Sequence, residues 1–92
     1  MFTIAQIQTF VQIAQCGSFT DTAKRKGISQ GAVSSMIAKL EENLGAELFF
    51  RDGARCSLTR AGTTFLPYAI EVVENVDKGV EAIKALRSYA KK

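Results

Sequence analysis

The apolar residues at the start of the chain recur in steps of three and four, which is the spacing of one helix face. This first stripe consists of Ile4, Ile7, Phe10, Val11, Ile13 and Ala14. Thr3 and Gln6 have the spacing of a capping box, in which each side chain bonds to the backbone N–H of the other residue. The pattern therefore predicts a helix that begins after Thr3 and ends near Gly17.

Two further helices are predicted on either side of Gly27. Ser18 has the position of an N-cap for the first of them, and Gly27 suits the left-handed residue that follows a helix end. Ser29 is the N-cap candidate for the next helix, which ends at Gly45. Its apolar positions also keep helical spacing: Val33, Met36, Ile37, Leu40 and Leu44. Two helices joined by such a tight turn are the parts of a helix-turn-helix.

A short hairpin is predicted next, because the hydrophobic period changes. The apolar run at 48–50 and residues 56–58 have the pattern of two strands, and Asp-Gly at 52–53 is a strong hairpin-turn dipeptide. Thr59 then has the position of an N-cap for a helix that continues to the end of the chain. Pro67 lies about two turns into this helix and is expected to bend it.

The final helix carries an apolar heptad pattern over about four heptads. Its positions are Gly62, Phe65, Ala69, Val72, Val76, Gly79, Ile83, Leu86 and Ala90. A helix of about 30 residues spans about 45 Å, which exceeds the width of so small a core. We therefore expect part of this face to pair with a second copy, the alternative being one broad face packed on the chain's own domain. The predicted dimer-interface residues are Phe65, Ala69, Val72, Val76, Ile83 and Leu86.

Together these elements predict a mostly α fold with two parts. Residues 1–58 form a winged helix-turn-helix, with three helices and a short two-stranded wing, and residues 59–92 form a long C-terminal linker and dimerisation helix. The length of 92 residues suits one small domain. The formal net charge of +3 and the pI near 9.1 allow a polyanionic partner without requiring one.

The composition argues against several other classes of protein. Two cysteines and no histidine leave a zinc site short of ligands, so we expect no metal and no other cofactor. The adjacent carboxylates Glu41 and Glu42 point in different directions on a helix, so they make a poor acid–base pair and we expect no enzymatic activity. The sequence contains no run of about 20 apolar residues, which is the length that a helix needs to span a bilayer. With no visible signal peptide, we expect a cytoplasmic protein with reduced thiols and no membrane partner.

The stretch SQGAVSSM at 29–36 is uncharged and built of small residues, at the position where a helix-turn-helix enters the major groove. Small side chains let the backbone approach base edges, and Gln30 can bond bidentately to adenine. The structural alternative is a capped helix start, with Ser29 as the cap and Gln30 solvated. The candidate base-reading residues are Gln30, Gly31, Ala32, Ser34 and Ser35.

Basic residues flank this uncharged stretch and can neutralise phosphates. The run at 24–26 precedes it, and Arg51 and Arg55 flank the predicted hairpin turn. The alternatives are a solvated basic face, and an ion pair of Arg51 with Asp52 or Glu47. The candidate residues for phosphate and wing contacts are Ser18, Thr20, Lys24, Arg25, Lys26, Ser29, Lys39, Arg51 and Arg55.

A set of short motifs across the chain resembles the N-terminal DNA-binding domain of LysR-type transcriptional regulators. The motifs are GSFT at 17–20, TAKR at 22–25, SQ at 29–30, SxxIxxLE at 34–41, LG at 44–45, LFxR at 48–51 and LTxAG at 58–62. The resemblance covers essentially the whole chain. It implies a winged helix-turn-helix and a linker helix that pairs subunits. It also implies an effector-binding domain for a small molecule, which is absent from this chain.

Three positions depart from the family pattern. Gly31 stands where proline is common, Ser35 stands where an arginine often follows the serine, and Ala54 stands where the wing often has a basic residue. We therefore expect a DNA site read more by shape, serines and Gln30 than by pairing of arginine with guanine.

Two functions follow from these observations. The first is sequence-specific binding of double-stranded DNA by a homodimer, which reads an interrupted palindrome near a promoter with helix 29–44 in the major groove. The resemblance also allows a tetramer in the full-length protein. The second is a winged-helix dimerisation or protein-interaction module without sequence-specific DNA binding, which the missing arginine at Ser35 and the small net charge would favour.

Overall fold

The computed structural model describes residues 1–90, and their side chains through residue 88. Lys91 and Lys92, predicted as the end of the linker helix, lie outside the described residues, as does the side chain of Ala90. The predicted mostly α winged helix-turn-helix is confirmed. Its elements are α1 (Ile4–Cys16), α2 (Phe19–Lys26), α3 (Gln30–Leu44), β1 (Phe49–Asp52), β2 (Arg55–Leu58) and α4 (Arg60–Ala90).

The predicted helix starts are confirmed by hydrogen bonds. Thr3 Oγ1 accepts from the Gln6 N–H, and Gln6 Oε1 accepts from the Thr3 N–H, both at 3.2 Å, which completes the capping box. Ser18 Oγ accepts from the Asp21 N–H at 3.1 Å at the start of α2. These bonds satisfy N–H groups that have no partner within the helix.

Helix α1 forms the centre of the domain, since it packs against α2, α3 and α4. Phe10 is fully buried, and its ring centroid lies 5.4 Å from that of Phe49 and 5.5 Å from that of Phe65. One aromatic side chain of α1 thus contacts both the wing and α4. This central position explains why α1 carries no charged residue.

The turn between α2 and α3 is made by Gly27, whose φ of 70° lies in the left-handed region. Its N–H donates to the Lys24 carbonyl at 3.2 Å, and the Ile28 N–H donates to the Ala23 carbonyl at 3.1 Å. These bonds close the end of α2 and reverse the chain within three residues. Ala23 is buried at the contact between the two helices. Its small side chain lets the helices approach each other closely.

The wing is a two-stranded antiparallel hairpin, as predicted, but its turn lies one residue later than the Asp-Gly dipeptide. Asp52 is still paired with Arg55, so the two loop residues are Gly53 and Ala54. Gly53 has φ 62°, and a two-residue loop with glycine in its first position is one of the favoured hairpin turns. The predicted return strand at 56–58 accordingly begins at Arg55.

The cap of α4 joins this helix to the wing. Thr59 Oγ1 accepts from the Gly62 N–H at 3.0 Å and donates to the Glu47 carbonyl at 2.6 Å. The Thr59 N–H also donates to the Leu48 carbonyl at 3.0 Å. Pro67 lies inside α4, which continues on both sides of it as one helix.

The apolar positions of α4 divide into a covered and an uncovered part. Ala69 is fully buried in the chain's own core, so this side chain has no surface left for a partner and we remove it from the predicted dimer interface. Phe65 is half-buried and packs against the same core. Between Val76 and Leu86 the large apolar side chains are exposed, from 38% for Val76 to 63% for Leu86. The alternative of one face packed entirely on its own domain therefore does not describe this helix.

Candidate nucleic-acid interface

The N-terminal end of α3 presents its small residues to solvent. Gln30, Gly31 and Ser35 are exposed, and Ala32 and Ser34 are half-buried. On the opposite side of the helix, Val33 and Ile37 are buried in the core. The apolar spacing of α3 thus decides which side is free, and the candidate base-reading residues lie together on it.

Ser29 and Gly31 set the geometry of this helix start. Ser29 Oγ accepts from the Ala32 N–H at 3.0 Å, so the predicted cap is confirmed. A β-carbon built on Gly31 would have only Ser29 Oγ near it, at 3.9 Å. Nothing among the described residues therefore requires glycine at position 31, and the space above it is open to a ligand.

Gln30 is held by a residue of α2. Thr20 Oγ1 donates to Gln30 Oε1 at 3.2 Å. A carbonyl oxygen has two lone pairs, so this bond leaves one of them free together with the amide N–H groups. The amide is thereby oriented with a donor and an acceptor available, as bidentate bonding to adenine requires.

Arg51 of the wing lies against the helix-turn-helix. Its guanidinium carbon is 3.8 Å from the centroid of the Phe19 ring, and Nη1 donates to Ser34 Oγ at 3.2 Å. Phe19 is itself buried, with its ring 5.4 Å from that of Phe49. Neither Asp52 nor Glu47 forms the alternative ion pair with Arg51, since in the described part of the chain the acid–base pair within 4 Å is Lys84 with Glu81.

The other predicted cations lie on α2, α3 and the wing, and they have no carboxylate partners among the described residues. Lys24, Arg25 and Lys39 are exposed, and Lys26 is half-buried. Arg55 lies beside the loop between α1 and α2. Its Nη2 atom is 3.6 Å from the position that a β-carbon on Gly17 would take. Cations without a carboxylate partner are free to contact the phosphates of an anionic partner.

Ser18 does not belong with these residues. Its side chain is buried, and its hydroxyl is occupied by the N–H of Asp21 at the start of α2. Its expected phosphate contact is therefore withdrawn, because the cap and the core use the side chain. Thr20 is half-buried, and its bond to Gln30 positions the amide of that residue. The sequence had predicted only a phosphate contact for Thr20.

Two contacts of this surface escaped sequence reasoning. The stacking of Arg51 on Phe19 joins residues 32 positions apart, and the bond from Thr20 to Gln30 joins two different helices. The only available signal was that Phe19, Thr20, Gln30 and Arg51 each fall within one of the quoted motifs.

Both cysteines are half-buried. Cys16 Sγ is 3.0 Å from Thr22 Oγ1, and the Cys56 N–H donates to the Gly17 carbonyl at 3.0 Å. Burial, and secondarily the neighbouring Cys16, raises the pKa of the Cys56 thiol, so it stays protonated at neutral pH. The two cysteines are free.

Two negative findings apply to the part of the chain that the structure describes. It holds no group of three or more histidine, cysteine, aspartate or glutamate side chains that could bind a metal ion. Within the same residues, no helix is both long enough and apolar enough to cross a membrane.

The fold and this surface define the class of protein as a winged helix-turn-helix. Residues 4–63 match the family model described as bacterial regulatory helix-turn-helix protein, lysR family. This match covers more than half of the chain, so the chain belongs to the LysR family, and the resemblance seen in the sequence is confirmed. The family is one of transcriptional regulators rather than of enzymes.

Relatives with regulatory names support this membership. The HTH-type transcriptional regulator YbhD of Escherichia coli (strain K12) is 34% identical over 86 residues, which are 94% of this chain and 27% of YbhD. YwqM of Bacillus subtilis (strain 168), also an HTH-type transcriptional regulator, is 38% identical over 84 residues, which are 91% of this chain and 29% of YwqM. The chain thus spans between a quarter and a third of the length of these two relatives.

Solved structures match the fold closely. The BenM DNA-binding domain in complex with catB site 1 DNA superposes with a TM-score of 0.87 at 33% identity, covering 95% of this chain and 97% of that one. The CbnR DNA-binding domain in a DNA complex gives a TM-score of 0.83 at 28% identity, covering 92% and 98% of the two chains.

Proposed function

We propose that this chain is the DNA-binding domain of a transcription regulator, and that it inserts the N-terminal end of α3 into the major groove. One observation carries the proposal: an exposed, uncharged tip of small residues belongs to a domain whose α2, α3 and wing carry cations that have no carboxylate partner in the described structure. Neutral small side chains allow close approach to base edges, while the cations neutralise phosphates on either side.

In this proposal the tip of α3 reads bases and the surrounding residues hold the backbone of the duplex. Gln30 bonds to one base with its oriented amide, while Gly31 and Ala32 allow the helix to approach, and the two serines at 34 and 35 supply hydroxyls. The phosphate contacts come from Lys24, Arg25, Lys26, Ser29, Lys39, Arg51 and Arg55, while Thr20 orients the Gln30 amide.

We further propose that two copies pair through the distal half of α4. The uncovered stripe, called here the α4 stripe, consists of Val76, Val80, Ile83 and Leu86, and the half-buried Val72 borders it. Exposed apolar side chains in this number on one helix face gain free energy when a partner helix covers them. A dimer places two α3 tips on one duplex, which matches a palindrome with two half-sites.

The division of the chain follows from this pairing. Residues 1–58 carry the DNA surface, and residues from 59 onward connect and pair the subunits. A small-molecule effector would bind a further domain beyond this chain, and a tetramer is proposed only for the full-length protein. Such a regulator would act on the chromosome in the bacterial cytoplasm, without catalysis of its own.

The test is binding of the chain to random duplex DNA and to a selected duplex pool across a salt series, with the mass in solution measured alongside. We expect enrichment of a sequence with two half-sites, binding by a dimer, and an affinity that falls steeply as salt rises. A dimer without salt-dependent DNA affinity would overturn the proposal, and the surface of α3 would then belong to a protein-interaction module.

A further inference from the structure

Arg51 is held on two sides, although its side chain is exposed. The guanidinium stacks on the buried Phe19 ring, with 3.8 Å from its central carbon to the ring centroid. Its Nη1 donates to Ser34 Oγ at 3.2 Å. Stacking on an aromatic face restricts the planar fork to one orientation. The wing therefore places the positive charge of Arg51 next to the Ser34 hydroxyl at the edge of the α3 tip.

The direction of this hydrogen bond is fixed by chemistry. A guanidinium carries only donors, whereas a hydroxyl has one hydrogen and two acceptor lone pairs. Ser34 must therefore accept from Arg51. In the described structure no hydrogen bond uses the Ser34 hydroxyl as a donor, so its hydrogen remains available to a partner outside the chain.

We infer that Arg51 is a positioning residue that makes Ser34 a hydrogen-bond donor toward the DNA, so that Ser34 selects a base presenting an acceptor. The acceptors in the major groove are guanine O6 and N7, thymine O4 and adenine N7. The charge of Arg51 strengthens the Ser34 O–H as a donor and repels a second N–H donor from the same oxygen. The amino group of cytosine is accordingly disfavoured at this position. The inference rests on the proposed DNA binding.

This role differs from the phosphate contact that Arg51 can also make. A phosphate contact contributes equally to every sequence, whereas setting the donor direction of Ser34 changes the choice of one base in each half-site. The two roles are therefore separable by the base preference of a variant, whatever happens to its total affinity.

The experiment compares the base preferences of four chains against one selected duplex and its single-base variants. The chains are the unchanged protein, Arg51→Lys, Ser34→Ala, and the double variant. Lysine keeps the positive charge but cannot stack and fork as arginine does. Arg60→Lys, an exchange of the same kind at an exposed position outside the proposed surface, is the matched control.

We expect the unchanged protein to prefer an acceptor base over cytosine at the Ser34 position by about fivefold to tenfold, the range of one hydrogen bond. Arg51→Lys and Ser34→Ala should each reduce that preference to less than about twofold at the same position, and the double variant should show no further loss. Arg60→Lys should leave the preference unchanged. Thermal melting of each variant reports whether it is folded, and Ser34→Ala keeps the test informative if Arg51→Lys is unstable.

The inference is overturned if Arg51→Lys weakens binding to all duplexes alike and retains the base preference. It is also overturned if Ser34→Ala changes the preference and Arg51→Lys, folded, does not. In both cases selective DNA binding by the unchanged protein would persist, so the proposed function would stand. If the unchanged protein selects no sequence at all, the proposed function fails and the inference fails with it.

Discussion

The carbonyl oxygen of Leu48 occupies the space that a β-carbon on Gly62 would need. The Leu58 side chain lies 2.8 Å from the same point. The Leu48 peptide cannot yield easily, because its N–H donates to Glu41 Oε2 at 2.7 Å and its carbonyl accepts from the Thr59 N–H. The first turn of α4 is therefore packed directly onto the backbone that enters the wing.

Gly62→Ala should destabilise the domain, although alanine favours helix formation. Overpacking against a fixed backbone costs about 1–3 kcal/mol or more, which exceeds the helix-propensity gain of about 1 kcal/mol. Gly79→Ala is the matched control, because no atom of the described residues lies within 4 Å of a β-carbon there. Urea unfolding of both variants in a dilute, monomeric sample measures the difference. Equal stability of the two would contradict the close approach at Gly62.

Gly31→Ala should separate stability from DNA binding. The open space above Gly31 accepts a β-carbon, and the exchange raises helix propensity by up to about 1 kcal/mol, so the free energy of unfolding should stay the same or increase. If DNA approaches the α3 backbone at this point, the added methyl group should nevertheless weaken binding. Melting and duplex binding of the same sample test both effects. Full DNA affinity in the variant would show that the duplex does not contact this position.

Gln30→Ala should cost about 1–3 kcal/mol of binding at a selected site and little on random DNA. Thr20→Val should produce a smaller loss of the same kind, because it removes the bond that orients the Gln30 amide. The loss in the double variant should not exceed that of Gln30→Ala alone, since both changes act through one amide. Electrophoretic or fluorescence binding isotherms measure this coupling. Equal weakening on both types of DNA would remove Gln30 as a base reader.

Val76→Asp should split the dimer and weaken binding to a palindrome. Val76 belongs to the α4 stripe, where burial against a partner would leave an added carboxylate without water or a counter-charge. Asn75→Asp is the matched control, because it introduces the same carboxylate at the neighbouring exposed position outside the stripe. Sedimentation equilibrium gives the mass of each variant. A dimer that survives Val76→Asp would place the subunit contact elsewhere.

Much of this fold could be predicted because its signals are local. Caps such as Thr3 with Gln6 act over three residues, and the turn at Gly27 is closed by the bond from the Ile28 N–H to the Ala23 carbonyl, five residues back. The wing was predicted as a hairpin, but its turn was placed one residue too early. The strand register depends on cross-strand pairs such as Asp52 with Arg55, and the turn dipeptide does not specify them.

In the candidate interface, too, local features could be predicted from the sequence, whereas contacts between separate elements could not. The exposed tip of α3 follows from the apolar spacing that buries Val33 and Ile37, so its position was predictable. The stacking of Arg51 on Phe19 and the bond from Thr20 to Gln30 were not, because each depends on how two separate elements pack.

The sequence by itself determined the helices, the turn between α2 and α3, and the heptad spacing of α4, since these depend on side chains within a few residues of each other. Only the tertiary structure decided which heptad positions remain free. Ala69 and Val76 occupy equivalent places in the pattern, yet the first is fully buried in the chain's own core and the second is 38% exposed. The physical reason is that burial depends on which surface lies opposite a residue, and the spacing within one helix carries no information about that surface.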